Sequence, residues 1–253
     1  MARIDGIRLK IERAKKHIRD LDSEIRVFIE SKPYAIGTKP HPVAQIKHTA
    51  LFVASVKAVP DSISLMVGDA VHNLRSSLDH LVWQLVEAGG GTPNRDTYFP
   101  ICRGTQGAQQ YASAIGRGEI QKMRPGAEKV LSAVQPYITG DDTLWIIHEL
   151  DRIDKHRLLL TVASSMDKWG VDVLKGQTMW FNEDRFFPLV PGYEIVNIPT
   201  STYNAQPHED FKLGIDVAFG KPEIVEGNLV LFTLNQMVNF IDALVGKFEG
   251  FLV

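Results

Sequence analysis

The chain has 253 residues, 44% of them hydrophobic and 23% charged, which is typical of a soluble globular protein with a substantial core. Its formal net charge of −2 excludes a global basic field for nucleic acid or an anionic membrane, although a local basic patch stays open. A single cysteine, Cys102, excludes an internal disulfide and a cysteine-rich zinc site. With no apolar run of about 20 residues and no signal-peptide core, a cytoplasmic location is expected.

The first predicted element is a long amphipathic helix that ends at Ser31, before a Lys-Pro pair. Its apolar residues recur at spacings of three and four, with charged residues between them: Ile4, Ile7, Ile11, Ala14, Ile18, Leu21, Ile25 and Phe28. This stripe either packs along the protein's own helical bundle or closes a homodimer in the manner of a coiled coil. We expect a homodimer through this helix.

The next segments predict a loop, a strand and a second long helix. Residues 33–46 are rich in Pro and Gly and predict an extended loop, whereas His48–Val59 has the β-branched and aromatic content of a strand. An Asp-Ser pair at 61–62 can cap a helix that runs to about Ala88, where three consecutive glycines end it.

The rest of the chain predicts three more helices and then a β-rich region. Helices are predicted at 108–117, 125–134 and 144–165. Short strands are predicted at 171–174, 178–181, 193–198, 211–219 and 229–234, followed by a closing helix over 235–251. Because helices and strands separate along the chain, the predicted fold class is α+β, with a helical bundle and a small antiparallel sheet.

These elements are expected to form a single domain over residues 1–253. Its helical part covers roughly 1–167, with one strand near 48–59, and its β-rich part covers roughly 170–234.

The second long helix has a polar centre beside its apolar stripe. Its polar residues are Asp69, His72, Asn73, Arg75, Asp79 and His80. His72, Arg75 and Asp79 lie at spacings that stack them along one edge of the helix. This mixture is too varied for a packing helix and lacks the Lys, Glu and Gln of a solvated face, so it is the first candidate site.

The helix predicted from Leu144 carries a second polar centre between two apolar ends. One of its edges holds His148, Asp151 and Lys155, and another holds Glu149, Arg152 and His156. Burying unpaired charges costs several kcal/mol each, so these groups must pair with one another, pair with a second polar helix, or line a wet cavity. The pattern predicts that this helix faces the His72–Asp79 edge and forms a polar site with it.

The composition of the two clusters leaves several chemistries open. The charges could form a salt-bridge lattice that only holds two helices in register. His72, Asp79, His148, Asp151 and His156 include possible metal ligands, but Arg75 and Lys155 would then lie beside the ion. A metal-dependent hydrolase is therefore the third hypothesis, and no metal or other cofactor is expected.

Nucleophilic catalysis and nucleotide-binding loops have little support in the sequence. Ser76 and Ser77 lie near histidines, but no Gly-x-Ser-x-Gly elbow is present. Cys102 has no histidine partner nearby in the sequence, and neither GDAVHN nor GGGTPN matches a phosphate-binding loop.

Metal-free cleavage of a phosphodiester needs a histidine for proton transfer and an arginine to stabilise charge on the phosphorane. Arg75 and His80 could supply this pair, and their spacing, RSSLDH, resembles the Arg-x4–6-His motif of HEPN-type helical domains. Many of those domains are ribonucleases whose motifs meet across a dimer cleft. The resemblance implies that Arg75 binds phosphate and His80 transfers protons. The chain differs from that family in Ser76, where Asn, Asp or His is more frequent, and in its β-rich third.

A longer resemblance covers roughly residues 60–160. The segments GDAVHNLRSSLDHL and HELDRIDKHRLLL, with YFPI and VQPY between them, are similar to a group of uncharacterised bacterial and phage proteins. This resemblance implies that both polar clusters belong to one architecture, and it implies no particular reaction.

The leading hypothesis is a HEPN-like, metal-independent ribonuclease or nucleotide-processing protein with Arg75 and His80 as catalytic residues. The residues expected to bind or orient are His72, Asn73, Asp79, His148, Asp151, Lys155 and His156. The alternative is a non-catalytic ligand- or partner-binding protein whose buried charges are structural. The expected partners are RNA or a nucleotide and a second copy of the chain, without a membrane.

Overall fold

The structure is a computed structural model. It describes residues 2–41, 48–102, 106–116, 120, 122–137, 142–159, 161–174, 177–200 and 211–253. Its helices are α1 (Arg3–Glu30), α2 (Asp61–Ala88), α3 (Gly107–Ile115), α4 (Ala127–Ser132), α5 (Asp142–Asp154) and α6 (Val230–Gly246). Its strands are β1 (Tyr34–His41), β2 (His48–Val56), β3 (Thr161–Leu174), β4 (Gln177–Pro188), β5 (Glu194–Pro199) and β6 (Phe211–Phe219). The predicted α+β class, with a long N-terminal helix and small antiparallel sheets, is confirmed.

The chain, expected to be one domain, folds as two compact units that interleave along the sequence. The helical unit comprises Met1–Leu21, Ser64–Leu159 and Leu231–Val253. The β-rich unit comprises Asp22–Ile63 and Leu160–Val230. Each unit therefore draws on separated segments of the chain, and the helical unit resumes at Leu231 after the β-rich unit.

The core of the helical unit is built from the apolar faces of its long helices. The buried residues of α1 in this unit are Ile7, Ile11, Ala14, Ile18 and Leu21, and those of α2 include Val67, Val71, Leu74, Leu78, Leu81 and Leu85. Both sets repeat at the three-to-four spacing that places side chains on one face. The stripe of α1 that was expected to close a homodimer is thus covered within the chain, and Leu9, 59% exposed, lies off it.

The β-rich unit contains two three-stranded antiparallel sheets, ordered β1-β2-β5 and β4-β3-β6. The two sheets share one hydrophobic cluster, whose buried members are Ile36, Leu51, Val53, Leu189, Phe211 and Leu213. Beside it, the ring of Trp169 stacks on Phe181 at a centroid distance of 4.2 Å and on Phe211 at 5.5 Å. Cross-strand aromatic pairs of this kind stabilise a sheet.

The prediction of a loop over residues 33–46 is wrong for its first part, because Tyr34–His41 forms β1. This strand pairs with β2 from Tyr34↔Val56 to His41↔His48, at one edge of its sheet. An edge strand tolerates Pro40, which has no backbone N–H to donate, so the proline content misled the sequence prediction. Residues 42–46 of that predicted loop, and the predicted helix end at 117, lie outside the described residues.

Two predicted boundaries in the second half of the chain are also wrong. The helix expected over 144–165 ends at Asp154, and the chain is already in β3 from Thr161, because the apolar run after Arg157 has no helical period. The strand expected at 229–234 is instead the first turn of α6, apart from a single bridge between Ala218 and Leu229. Among the described helices, none combines the length and hydropathy needed to cross a membrane.

Candidate functional site

The polar edges of α2 and α5 contact each other within the helical unit. His72 Nδ1 lies 2.9 Å from Asp151 Oδ1, and Arg75 Nε lies 3.5 Å from His148 Nδ1. His72 and Arg75 are one turn apart on α2, and His148 and Asp151 are one turn apart on α5, so each edge contributes two contacts. The two clusters singled out in the sequence thus form one polar site.

A glycine of α2 allows the last turn of α5 to approach closely. A Cβ atom on Gly68 would lie 2.3 Å from Oδ1 of Asp154, far inside any real contact distance. Gly68 is one turn before His72, so this close approach lies beside the His72–Asp151 contact. A glycine inside a helix normally costs about 1 kcal/mol relative to alanine, and here that cost permits the packing of the two helices.

The most distinctive feature of the site is a histidine held by a buried carboxylate. The Asp151 side chain is only 4% exposed and binds two cationic or polar groups, with Lys155 Nζ 2.6 Å from Oδ2 and His72 Nδ1 at Oδ1. His72 is 51% exposed, and its Nε2 lies 3.4 Å from Oγ of Ser76. A carboxylate accepts only, so we assign the proton to Nδ1 and leave Nε2 as an acceptor facing outward.

Arg75 is engaged by the protein itself. Arg75 is only 7% exposed. Its guanidinium group donates to Asp79 Oδ1 at 2.5 Å and to the backbone oxygen of Phe99 at 3.1 Å. The backbone N–H of Phe99 in turn donates to Asp79 Oδ1 at 2.9 Å. Arg75 and Asp79 therefore fasten the segment at Phe99 to α2, and these contacts occupy the guanidinium that was expected to bind phosphate.

His80 lies apart from Arg75. A spacing of five residues turns a helix through about 500°, which leaves the two side chains about 140° apart. His80 is exposed, and its Nδ1 is 4.0 Å from the Cβ position of Gly6 on α1. Among the described residues, no hydrogen bond or ion pair joins His80 to Arg75, so the two expected catalytic residues do not meet in one chain.

The remaining expected residues have local roles or are exposed. Asn73 donates from Nδ2 to the backbone oxygen of Asp69 at 2.8 Å, one turn earlier in α2. Glu149 is buried and accepts from Arg152 Nη2 at 2.8 Å, which is an ion pair within α5. His156 follows the end of α5 and is exposed, as is Lys155.

Two residues beside the site, Asp154 and His17, were not among those expected to catalyse, bind or orient. Burial, followed by repulsion from Asp151 and Asp69, raises the pKa of the Asp154 carboxyl. On α1, desolvation lowers the pKa of His17, whose Nδ1 is 3.9 Å from Asp69 Oδ2. Asp154 could have been found from its position three residues after Asp151, whereas nothing in the local sequence places His17 near α2.

Metal-dependent catalysis and a cysteine nucleophile find no geometric support among the described residues. Across the described ranges, no group of three or more His, Cys, Asp or Glu side chains is placed to hold a metal ion. Cys102 is half-buried, and desolvation raises the pKa of its thiol, which disfavours the reactive thiolate.

Comparison with known proteins does not place this chain in a family. No protein-family model matches it, and no curated protein or solved structure matches it either. The chemistry of the site therefore has to follow from its own geometry.

Proposed function

We propose that the protein is a metal-independent enzyme that cleaves a phosphodiester in RNA or a nucleotide, with His72 as its general base. The observation that carries this proposal is the 2.9 Å contact between the half-exposed His72 and the buried Asp151. A histidine whose inner nitrogen is held and whose outer nitrogen is free to accept a proton is arranged for acid–base catalysis. The geometry of the His72–Asp151 pair does not select an ester, so we take the phosphodiester class from the resemblance of RSSLDH, on the same helix, to the HEPN motif.

In the proposed reaction, Nε2 of His72 accepts a proton from the attacking hydroxyl group and later returns it to the leaving oxygen. Asp151 fixes the tautomer of His72 and stabilises the imidazolium ion that forms. Lys155 lies against the second oxygen of Asp151 and balances the charge of that buried carboxylate.

This proposal changes the roles that the sequence suggested. His72 replaces His80 as the residue that transfers protons. Arg75 positions Asp79 and the segment at Phe99, and does not bind the substrate.

The charges around the His72–Asp151 pair are of both signs. Arg157 is exposed directly after α5 and supplies positive charge for a phosphate group. Asp69 and Asp154 lie on the same side and oppose it, but the raised pKa of Asp154 shifts that carboxyl toward its neutral form. Binding of a phosphodiester at this site is therefore expected to weaken with salt.

The test is cleavage of RNA and of nucleotides by the purified protein in EDTA. We expect His72→Ala to lower the rate by about 10²–10⁴-fold, the usual contribution of a general base. His80→Ala is the matched control, because it removes a second exposed histidine from the same helix and should leave the rate unchanged.

Two results would contradict this assignment. Loss of cleavage in His80→Ala but not in His72→Ala would restore the pair expected from the sequence. Absence of any turnover by the wild-type protein would remove the enzyme proposal.

A second candidate is a non-catalytic ligand- or partner-binding protein whose buried charges are structural. It is favoured by Arg75, whose donors are taken up by Asp79 and Phe99 in a buried position. It predicts no turnover of RNA or nucleotides, together with a large loss of stability on substitution of Arg75. A homodimer would need a surface other than the buried stripe of α1, and light scattering of the purified chain tests for one.

A further inference from the structure

We propose that Ser76 is the nucleophile of this site, so that the substrate class extends to phosphodiesters without a 2′-hydroxyl group. This inference rests on the proposed function, because it uses His72 as the general base. It assigns a chemical role to a serine that has no recognisable sequence motif around it.

The hydrogen bonds around His72 have a definite direction. Asp151 can only accept, so Nδ1 of the neutral His72 carries the proton and Nε2 is an acceptor. The hydroxyl group of Ser76, 3.4 Å from Nε2, must then donate to it. The sequence of contacts from Ser76 to His72 to Asp151 has the same atoms in the same order as a Ser-His-Asp triad, which is recognised by geometry and not by fold.

Ser76 differs in its hydrogen bond from two other helical serines of this chain, Ser77 and Ser132. A serine inside a helix commonly donates to a backbone carbonyl three or four residues earlier. Ser77 does so to Leu74 at 2.7 Å, and Ser132 does so to Glu128 at 2.7 Å. Ser76 instead points its hydroxyl group at His72, at the exposed side of the site. The distance is long, as catalytic hydrogen bonds often are before substrate binds.

The proposed step is a displacement at phosphorus. Oγ of Ser76 forms a bond to phosphorus as the bond to the leaving oxygen breaks, and the serine proton passes through Nε2 of His72 to that oxygen. Water then attacks the phosphoserine diester with His72 as base, which releases the product and restores the hydroxyl group of Ser76. The nucleophile belongs to the protein, so the substrate needs no neighbouring hydroxyl group of its own.

The experiment uses bis(p-nitrophenyl) phosphate, a diester without ribose, beside RNA, both in EDTA. We expect wild-type protein to release p-nitrophenolate and to carry a nitrophenyl phosphoryl group on Ser76, detected by mass spectrometry. Ser76→Ala should lower turnover of this ester by about 10²-fold or more. Alanine is a better helix former than serine, so this variant should fold, and Ser132→Ala is the matched control with unchanged turnover.

The outcomes separate this inference from the proposed function. Ester turnover in Ser76→Ala within about threefold of wild type would overturn the role of Ser76. So would RNA cleavage that survives in Ser76→Ala and yields 2′,3′-cyclic phosphate ends while the ester stays intact, but His72 would remain the base. No turnover of either substrate by the wild-type protein would overturn both proposals.

Discussion

The carboxyl group of Asp154 lies against Gly68 and near the carboxyl groups of Asp151 and Asp69. Burial and this repulsion raise its pKa above the ordinary value of 3.8. The folded protein then binds the proton more tightly than the unfolded chain does. The contribution of Asp154 to the free energy of unfolding therefore falls as pH rises from about 3.8 through the raised pKa, and it stays constant above that pKa.

Because the contribution of Asp154 to stability is lost as pH rises, we expect Asp154→Asn to be more stable than wild type at neutral pH. The advantage should disappear below pH 3.8, where Asp154 is protonated in both states. Denaturant unfolding at the two pH values measures the difference. Asp96→Asn, at an exposed loop position, is the control and should show neither effect. A pH dependence of Asp154→Asn equal to that of wild type would refute the expectation.

Gly68→Ala tests the close approach of α5 to α2. Alanine normally stabilises a helix interior by about 1 kcal/mol relative to glycine. Here its Cβ would collide with Asp154, so we expect a net loss of about 1–3 kcal/mol in the free energy of unfolding. In an Asp154→Ala background the same substitution should become neutral or stabilising. Equal effects in both backgrounds, measured by a double-mutant cycle, would show that the contact is unimportant.

Arg75→Met keeps an extended side chain but removes the donors for Asp79 and the carbonyl group of Phe99. We expect it to lower the free energy of unfolding by about 2–4 kcal/mol, because a buried network loses one member. Arg95→Met, at an exposed position in a loop, should change stability by less than about 0.5 kcal/mol. Similar unfolding midpoints for the two variants would contradict the structural role of Arg75.

At the scale of elements, the apolar stripe of α1 packs inside one chain and not between two chains. Ile11 is 1% exposed and Leu9, two residues earlier, lies off the stripe. We expect Ile11→Ala to lower the free energy of unfolding by about 2–5 kcal/mol and Leu9→Ala to leave it nearly unchanged. The thermal midpoint should not depend on protein concentration, since the stripe is buried within one chain. A midpoint that rises with concentration would point to a dimer.

The long helices could be predicted from the sequence because their apolar period and end signals agree. The end of α2 at Ala88 follows from the three glycines after it, since Gly90 has a φ of +83° that suits glycine. β1 and the end of α5 could not be predicted in the same way. A proline on an edge strand and an apolar run after a helix each fit two local structures, and only pairing with distant strands decides between them.

The candidate site, like the fold, could be predicted from the sequence only in part. Helical spacing alone indicated that His72 and Asp151 lie on polar edges, and the need to pair buried charge indicated that these edges meet. The pairing of Arg75 with Asp79 one turn away was predictable, but its second partner was not, because that is a backbone carbonyl group 24 residues away, at Phe99. His80 shares a short motif with Arg75, but five residues along a helix place the two side chains on different faces.

At the scale of the whole molecule, each unit is assembled from separated parts of the chain. The helical unit joins three segments, and α1 and α6 contact each other through ion pairs such as Lys15–Asp242, at 2.9 Å. Leu234 and Ile241 of α6 are completely buried, and so is Phe248, two residues after its end. The core of this unit is therefore complete only when α6 is in place.

This interleaving has a consequence for how the protein is made. A ribosome adds residues from the N-terminus, so α1, α2 and the whole β-rich unit are synthesised before Leu231–Val253, the third segment of the helical unit. Until then the apolar surfaces of α1 and α2 lack part of their cover, and a nascent chain of this kind invites chaperone binding and aggregation. The helical unit can complete its folding only after Leu231–Val253 has been synthesised, although α1 and α2 are made well before that segment.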